Sequence, residues 1–293
     1  MTILVTGSRG LVGSTLVALL RSRGLDVRAA SKDPGKLSLP AGVPAVTCDL
    51  TDPGTFPAAL EDVASVFLYA EASQIGPFVE QAAAAGVRHI VLLSTSAVLG
   101  PAADDDPIAA SHLKVEEALA ASSVESTFLR PGSFASNALQ WSWAIRSTGT
   151  VNLPYPGSHT DPIHEADIAE AALAVLTDPR LAGGKYTLTG PESVTFREQL
   201  DHISHATGRP VTVNAVSREE WKAEMAGYIP GDFADALLDW WRSTDGSPAE
   251  ITRTVEELTG HPARDFAAWA RDHAGDFTDQ PSQRPRAAGQ PAT

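Results

Sequence analysis

The sequence predicts an α/β protein, a doubly wound parallel sheet with a smaller, mostly helical C-terminal domain. Three observations carry that prediction. Strand-like and helix-like segments alternate through the first half of the chain. The strand-like segments are apolar on both faces. A glycine turn, Gly7-Ser8-Arg9-Gly10-Leu11-Val12-Gly13, joins the first strand to the first helix. Near-continuous apolar strands separated by helices are what a parallel sheet covered on both sides requires.

The elements follow in order. Residues 3–6 read as a strand and 11–22 as a helix; further strands are expected at 27–30, 43–47, 66–70, 90–94 and 126–129. Asp52-Pro53 and Asp106-Pro107 each place a capping carboxylate before a proline suited to the first helical position. The second of these helices runs to about residue 121, and a helix over 77–85 is ended by Gly86. The second half has a different texture. Short strands are expected at 150–153, 162–163 and 185–189, the last joining the main sheet. Thr195-Phe196-Arg197-Glu198, Ser217-Arg218-Glu219-Glu220 and Ser247-Pro248-Ala249-Glu250 each match the capping box that opens a helix. This reading assigns 1–150 to a nucleotide-binding domain and 151–277 to a smaller substrate domain. Residues 278–293, which lack apolar periodicity, are expected to be a disordered tail.

Composition narrows the function. With 43% hydrophobic residues the 293-residue chain can bury a substantial core, and its net charge of −14 disfavours nucleic acid and anionic membranes. No apolar stretch approaches the roughly 20 residues of a membrane span, and no basic leader precedes the first strand. Cys48 is the only cysteine, so no intrachain disulfide forms and the thiol is expected to be buried and inert. The expectation is a soluble cytoplasmic protein acting on a small molecule. No metal-binding motif is present; His202 and His205 share a helix face but lack a third ligand at useful spacing.

The glycine turn points to a dinucleotide. Gly7 permits the tight turn, Gly10 the close approach of backbone to pyrophosphate, and Gly13 the packing of helix on strand; the helix N-terminus directs its N–H groups at the phosphates. The second strand ends in Ser31-Lys32 rather than an acidic residue. A neutral side chain followed by a cation suits the 2′-phosphate of NADP(H), with Arg9 from the glycine turn flanking it. Asp49, beside Leu50 at the end of the third strand, is placed to accept from an adenine amino group or to cap the next turn. Ala70, after the fourth strand, is expected beneath the middle of the cofactor.

Four stretches together resemble the atypical, NmrA-like branch of the short-chain dehydrogenase/reductase superfamily, which includes quinone reductases and ergot alkaloid reductases. They are Thr6-Gly7-Ser8-Arg9-Gly10-Leu11-Val12-Gly13, Val91-Leu92-Leu93-Ser94-Thr95-Ser96, Leu129-Arg130-Pro131-Gly132-Ser133-Phe134-Ala135-Ser136-Asn137 and Tyr186-Thr187-Leu188-Thr189-Gly190-Pro191-Glu192. The resemblance implies a Rossmann-like domain, an NADP(H) cofactor, and substrate held between that domain and a small C-terminal one. It also implies that the loop through Pro131 and Ser133 runs along the nicotinamide, with backbone groups bonding its carboxamide.

Typical members of the superfamily use a Tyr-x-x-x-Lys pair for proton transfer. Here Tyr69, Tyr155, Tyr186 and Tyr228 are followed four residues on by Ser73, His159, Gly190 and Asp232, and Lys114 is preceded at that distance by Ala110. Ser94, Ser96 and His112 are the remaining candidates to polarise a substrate oxygen, Ser94 and Lys114 also lying in cofactor-binding stretches. Phe134, Asn137, Trp141 and Tyr155 are candidates to line a pocket for a flat ring. The expected function is an NADPH-dependent reductase of an electrophilic substrate such as a quinone, conjugated carbonyl or iminium compound. The alternative is an NADP(H) sensor that regulates a partner protein without turnover.

Overall fold

A computed structural model describes residues 2–100, 103–104 and 106–278. The tail expected from 278 on lies, after Thr278 itself, outside the described residues. The chain forms two compact units. The first comprises the residues up to Gly132 with Glu165–Leu188 and Thr252–Ala263; the second comprises Ser133–His164, Thr189–Ile251 and the residues from Arg264 on.

The first unit is built on seven parallel strands: β1 (Thr2–Val5), β2 (Val27–Ser31), β3 (Ala45–Thr47), β4 (Val63–Tyr69), β5 (His89–Leu93), β6 (Glu125–Pro131) and, late in sequence, β9 (Lys185–Leu188). Their order is β3-β2-β1-β4-β5-β6-β9. The order reverses at β1, so the crossovers after β1 and β4 leave in opposite directions. That reversal opens a crevice at the carboxyl end of the sheet, where ligands bind in such folds.

Alternate strand residues face opposite layers. Leu4, Val66, Leu68, Ile90 and Leu92 belong to one core cluster with Phe56 and Leu60 of α2 (Phe56–Leu60), Phe78 and Val79 of α3 (Ile75–Ala84) and Val115 and Leu119 of α4 (Pro107–Ala120). Their neighbours Ile3, Val5, Phe67 and Val91 are equally buried on the other face. That face carries α1 (Leu11–Ser22) and α6 (Glu165–Thr177), which pack on one another, and α10 (Thr254–Thr259), which packs on α6. Asp106 caps α4 as its sequence predicts, its carboxylate accepting from the Ile108 and Ala109 N–H groups.

The second unit has an aromatic core. Helices α5 (Ser142–Thr148), α7 (Phe196–Thr207), α8 (Arg218–Met225), α9 (Gly231–Thr244) and α11 (Phe266–Asp272) surround Trp141, Trp221, Trp241 and Trp269. Rings meet edge to face, Phe196 against Trp241 at 5.1 Å and Trp221 against Trp241 at 5.1 Å between centroids. Two small sheets complete it: β7 (Thr150–Leu153) parallel to β11 (Thr212–Ala215), and β8 (His159–Thr160) antiparallel to β10 (Val194–Thr195).

The capping boxes at Thr195 and Ser217 open α7 and α8. The third box, at Ser247, does not open a helix, and this corrects the sequence reading. Residues 247–253 form neither helix nor strand; the Ala249 N–H donates to the Ser193 hydroxyl at 2.8 Å, and the next helix starts at Thr254. The strand expected at 162–163 is likewise replaced by β8 and a single bridge between Ile163 and Phe134.

Candidate functional site

The glycine turn leaves β1 at the crevice. Gly7 adopts φ of +62°, a left-handed conformation that glycine takes without penalty. Gly13 is constrained more tightly: a Cβ there would lie 2.4 Å from the Gly7 carbonyl oxygen and 2.9 Å from its carbonyl carbon. Gly10 precedes α1 with no side-chain cap, and no acidic residue occupies the first turn. The helix N-terminus therefore presents backbone N–H groups and positive dipole with no internal carboxylate competing for them, which fits a pyrophosphate.

Ser8, expected in the cofactor-binding glycine turn, uses its side chain within the fold. It is buried, its hydroxyl donates to the Val5 carbonyl at 2.7 Å, and the same oxygen accepts from the Ala30 N–H at 3.2 Å. Ser8 ties β1 to β2 and holds the turn, and its side chain is spent on that task.

Beyond β2 three cations gather. Lys32 lies 3.5 Å from Asp49, Lys36 lies 2.6 Å from Asp33, and Arg9 acts electrostatically on Asp33. The Lys36 hydrogen bond, with the Lys36 and Arg9 charges, holds the Asp33 carboxyl below the usual carboxylate range. Three cations against two carboxylates leave a net positive patch for an anion. Lys36 was not singled out in the sequence because it lies beyond the strand end and signals only through its i,i+3 spacing from Asp33. Ser31 accepts from the Asp33 N–H at 3.1 Å and so shapes this turn.

Asp49 is half-buried. One of its oxygens accepts from the Thr51 N–H and hydroxyl at 3.0 and 2.7 Å, which together with Lys32 keep its carboxyl below the usual range. It caps its own turn and leaves its other oxygen toward Lys32. Leu50 and Ala70 pack half-buried on the core at the same edge.

Among its described residues the first unit exposes four large apolar side chains, Leu11, Tyr69, Leu99 and Ile108. By topology all four stand at the carboxyl end of the sheet: at the start of α1, the end of β4, the turn after β5 and the start of α4. Tyr69 stands beside the glycine turn, its Cβ 3.3 Å from where a Gly7 Cβ would be. Leu99, Ile108 and Tyr69 carry no local motif, and only the assembled sheet gathers them.

The structure separates the two candidate serines. Ser94 is buried and donates to Glu116 Oε1 at 2.6 Å; Glu116 also receives Arg130 Nε at 2.9 Å, and Arg130 Nη2 pairs with its other oxygen. Ser94 is thus a structural link between β5, α4 and β6, its hydroxyl proton committed to Glu116 rather than aimed at a substrate oxygen. Ser96, half-buried at the start of the turn after β5, has no side-chain partner among the described residues. His112 Nδ1 donates to the Ile108 carbonyl at 2.8 Å, which leaves Nε2 as the acceptor in the neutral ring. Lys114 is exposed on α4.

The loop after β6 also uses its donors internally. The Gly132 N–H donates to the Leu188 carbonyl at 2.9 Å and the Ser133 N–H to Asp161 Oδ1 at 2.9 Å. Pro131 has no N–H to offer. With these N–H groups used internally, the backbone groups this stretch offers a carboxamide are carbonyl acceptors. In the second unit, Trp141 is a core residue, Asn137 is exposed within a short 3-10 helix, Phe134 is half-buried at the Ile163 bridge, and Tyr155 hydrogen-bonds Arg218.

A parallel sheet reversing at β1, with a glycine cradle and a cationic patch at its carboxyl end, defines a dinucleotide-binding fold. Residues 1–249 match the NmrA-like family, and the chain belongs to it. A (4-alkanoyl-5-oxo-2,5-dihydrofuran-3-yl)methyl phosphate reductase of Streptomyces griseus is 36% identical over 284 residues, 95% of this chain and 100% of that one. An NAD(P)H azoreductase of Xenophilus azovorans is 34% identical over 94% of this chain and 99% of its own. Among solved structures, the quinone oxidoreductase QOR2 of Escherichia coli in complex with NADPH superposes with a TM-score of 0.76 at 25% identity, covering 92% and 99% of the two chains.

Proposed function

We propose that the protein is an NADPH-dependent reductase that passes hydride to a small electrophilic substrate, a quinone, a conjugated carbonyl or an iminium carbon, without a Tyr-x-x-x-Lys acid. The chain is an oxidoreductase that uses NADP(H). The observation that carries this reading is the cradle in which Gly13 admits no Cβ and the N-terminus of α1 has no side-chain cap. The relatives support the substrate class. The furan phosphate reductase is named for a ring alkene conjugated to two carbonyls, and others are named for quinone or azo reduction.

In this reading Gly7, Gly10, Leu11, Val12 and Gly13 hold the pyrophosphate through backbone groups, and Arg9, Lys32 and Lys36 meet the 2′-phosphate. Asp49 and Leu50 flank the adenosine half, and Ala70 runs beneath the middle of the cofactor. When bound, NADPH supplies the hydride. Ser96, and His112 through Nε2, are the side chains with capacity to hydrogen-bond a reacting oxygen. For a quinone or conjugated carbonyl, the proton that balances the added hydride comes from water or from Ser96, re-protonated by solvent; an iminium carbon already carries the positive charge and needs none. A conjugated carbonyl, quinone or iminium carbon is electrophilic enough for orientation and proximity to replace a strong acid.

The test is to follow loss of nicotinamide absorbance with NADPH and a panel of quinones, enones and iminium compounds. Turnover with at least one class is expected. NADPH binding without turnover across the whole panel would overturn the reductase in favour of a sensor.

A further inference from the structure

The second unit holds a cavity of about 280 Å³ that the reductase reading does not use. Trp141, Trp143, Trp221 and Tyr228 line it. Trp141 and Trp221 are core residues and form a rigid floor; Tyr228 stands exposed at the rim. Among the described residues that line it, Glu224 is the only charged one. Its Oε2 accepts from the Asn152 amide at 2.8 Å, which fixes the carboxylate at the mouth.

The cations of the same helix are occupied elsewhere: Lys222 binds Asp235, and Arg218 binds Asp239 and Tyr155. Among the described residues no Lys, Arg or His pairs with Glu224. Flat aromatic walls, one oriented carboxylate and no competing cation form a chemistry that selects planar rings and positive charge together. Indole and phenol faces attract a cation through the ring quadrupole, and the carboxylate adds to that attraction. The chain's net charge of −14 acts in the same direction.

We infer that this cavity is a binding site for a planar aromatic cation, with room for about two fused rings. The inference stands apart from hydride transfer, because binding is read without NADPH. Its test is calorimetric titration of the full chain with 1-methylquinolinium, permanently charged, and with quinoline, neutral at pH 8. The cation is expected to bind about tenfold tighter than the neutral ring. Glu224→Gln is expected to bring the two affinities within about twofold while leaving the neutral ring unchanged. Trp143→Ala weakens both ligands.

Glu117→Gln, an exposed carboxylate on α4, controls for the general field and leaves the ratio intact. Equal binding of the two ligands by the unaltered protein overturns the inference. So does a ratio that survives Glu224→Gln, a ratio lost equally in Glu117→Gln, or no heat with either ligand at millimolar concentration.

Discussion

A methyl group on Gly13 would sit 2.4 Å from a backbone oxygen that has no freedom to withdraw, since Gly7 is itself held by the turn and by the Gly10 N–H bonding its carbonyl at 2.9 Å. Gly13→Ala is therefore expected to cost about 1–3 kcal/mol of stability and to weaken NADPH and NADH alike, because it deforms the part of the cradle common to both. Urea unfolding and cofactor titration check the two parts. Arg9→Ala and Lys32→Ala should behave differently. The cations they remove face the 2′-phosphate in the proposed site, so NADPH affinity falls about tenfold or less per residue while NADH affinity stays. An equal loss for both cofactors assigns these residues to general attraction only.

Cys48 makes a third case at the same scale. Burial, with the neighbouring Asp49 charge, pushes its thiol up to about 12. The native protein should react negligibly with a disulfide reagent at pH 8 and react fully once urea unfolds it.

Among elements, β5, α4 and β6 are joined by one buried cluster. Glu116 takes the Ser94 hydroxyl and the Arg130 guanidinium, and both charged partners are nearly inaccessible, 5% and 11% by side chain. A buried pair adds little net stability, yet removing one member strands the other charge. Glu116→Ala is expected to destabilise by about 3–5 kcal/mol, with Glu116→Gln less harmful because the amide still accepts one bond. Thermal unfolding of the two variants reads the difference.

This cluster also marks a limit of sequence reading. The strand order and the glycine cradle follow from local signals: apolar runs, a glycine triplet, Asp-Pro starts. Whether Ser94 or Ser96 is free depends on a carboxylate more than twenty residues away on another element. No local pattern carries that information. The third capping box failed for the same reason, since a tertiary donor–acceptor pair at Ser193 outbid a local motif. The exposed group of Leu11, Tyr69, Leu99 and Ile108 was equally invisible, because four ordinary residues become a surface only when the sheet sets its carboxyl ends side by side.

Over the whole molecule, acidity acts on stability through partnered carboxylates and through a buried histidine, whose unfolded-state values of 3.8 and 6.5 start their windows at different pH. The carboxylates with hydrogen-bonded or charged partners, Asp33, Asp49, Asp178 and Asp235, all have lowered folded values, Asp178 to about 2. Their contribution is present above the ordinary value of 3.8 and is lost only as pH falls through the lower folded ones. His89 titrates earlier. It is buried against Thr127, with Nε2 and the hydroxyl 2.9 Å apart, and burial holds its folded value below 6.5 despite the opposing Glu125 charge.

A lowered value means that the fold prefers the neutral ring. The stability it contributes is complete above 6.5 and declines as pH drops through the folded value. Between pH 7 and about 5 these four carboxylates are silent, and Asp161, whose carboxyl burial pushes up, is common to the native chain and a His89 variant, so comparing the two isolates the loss specific to His89. The expected outcome is that unfolding free energy of the native chain falls relative to His89→Gln across that interval, whereas the two curves run parallel from pH 7 to 8. Parallel curves throughout would mean that water reaches the ring and that β5 is less tightly sealed than the burial of His89 shows.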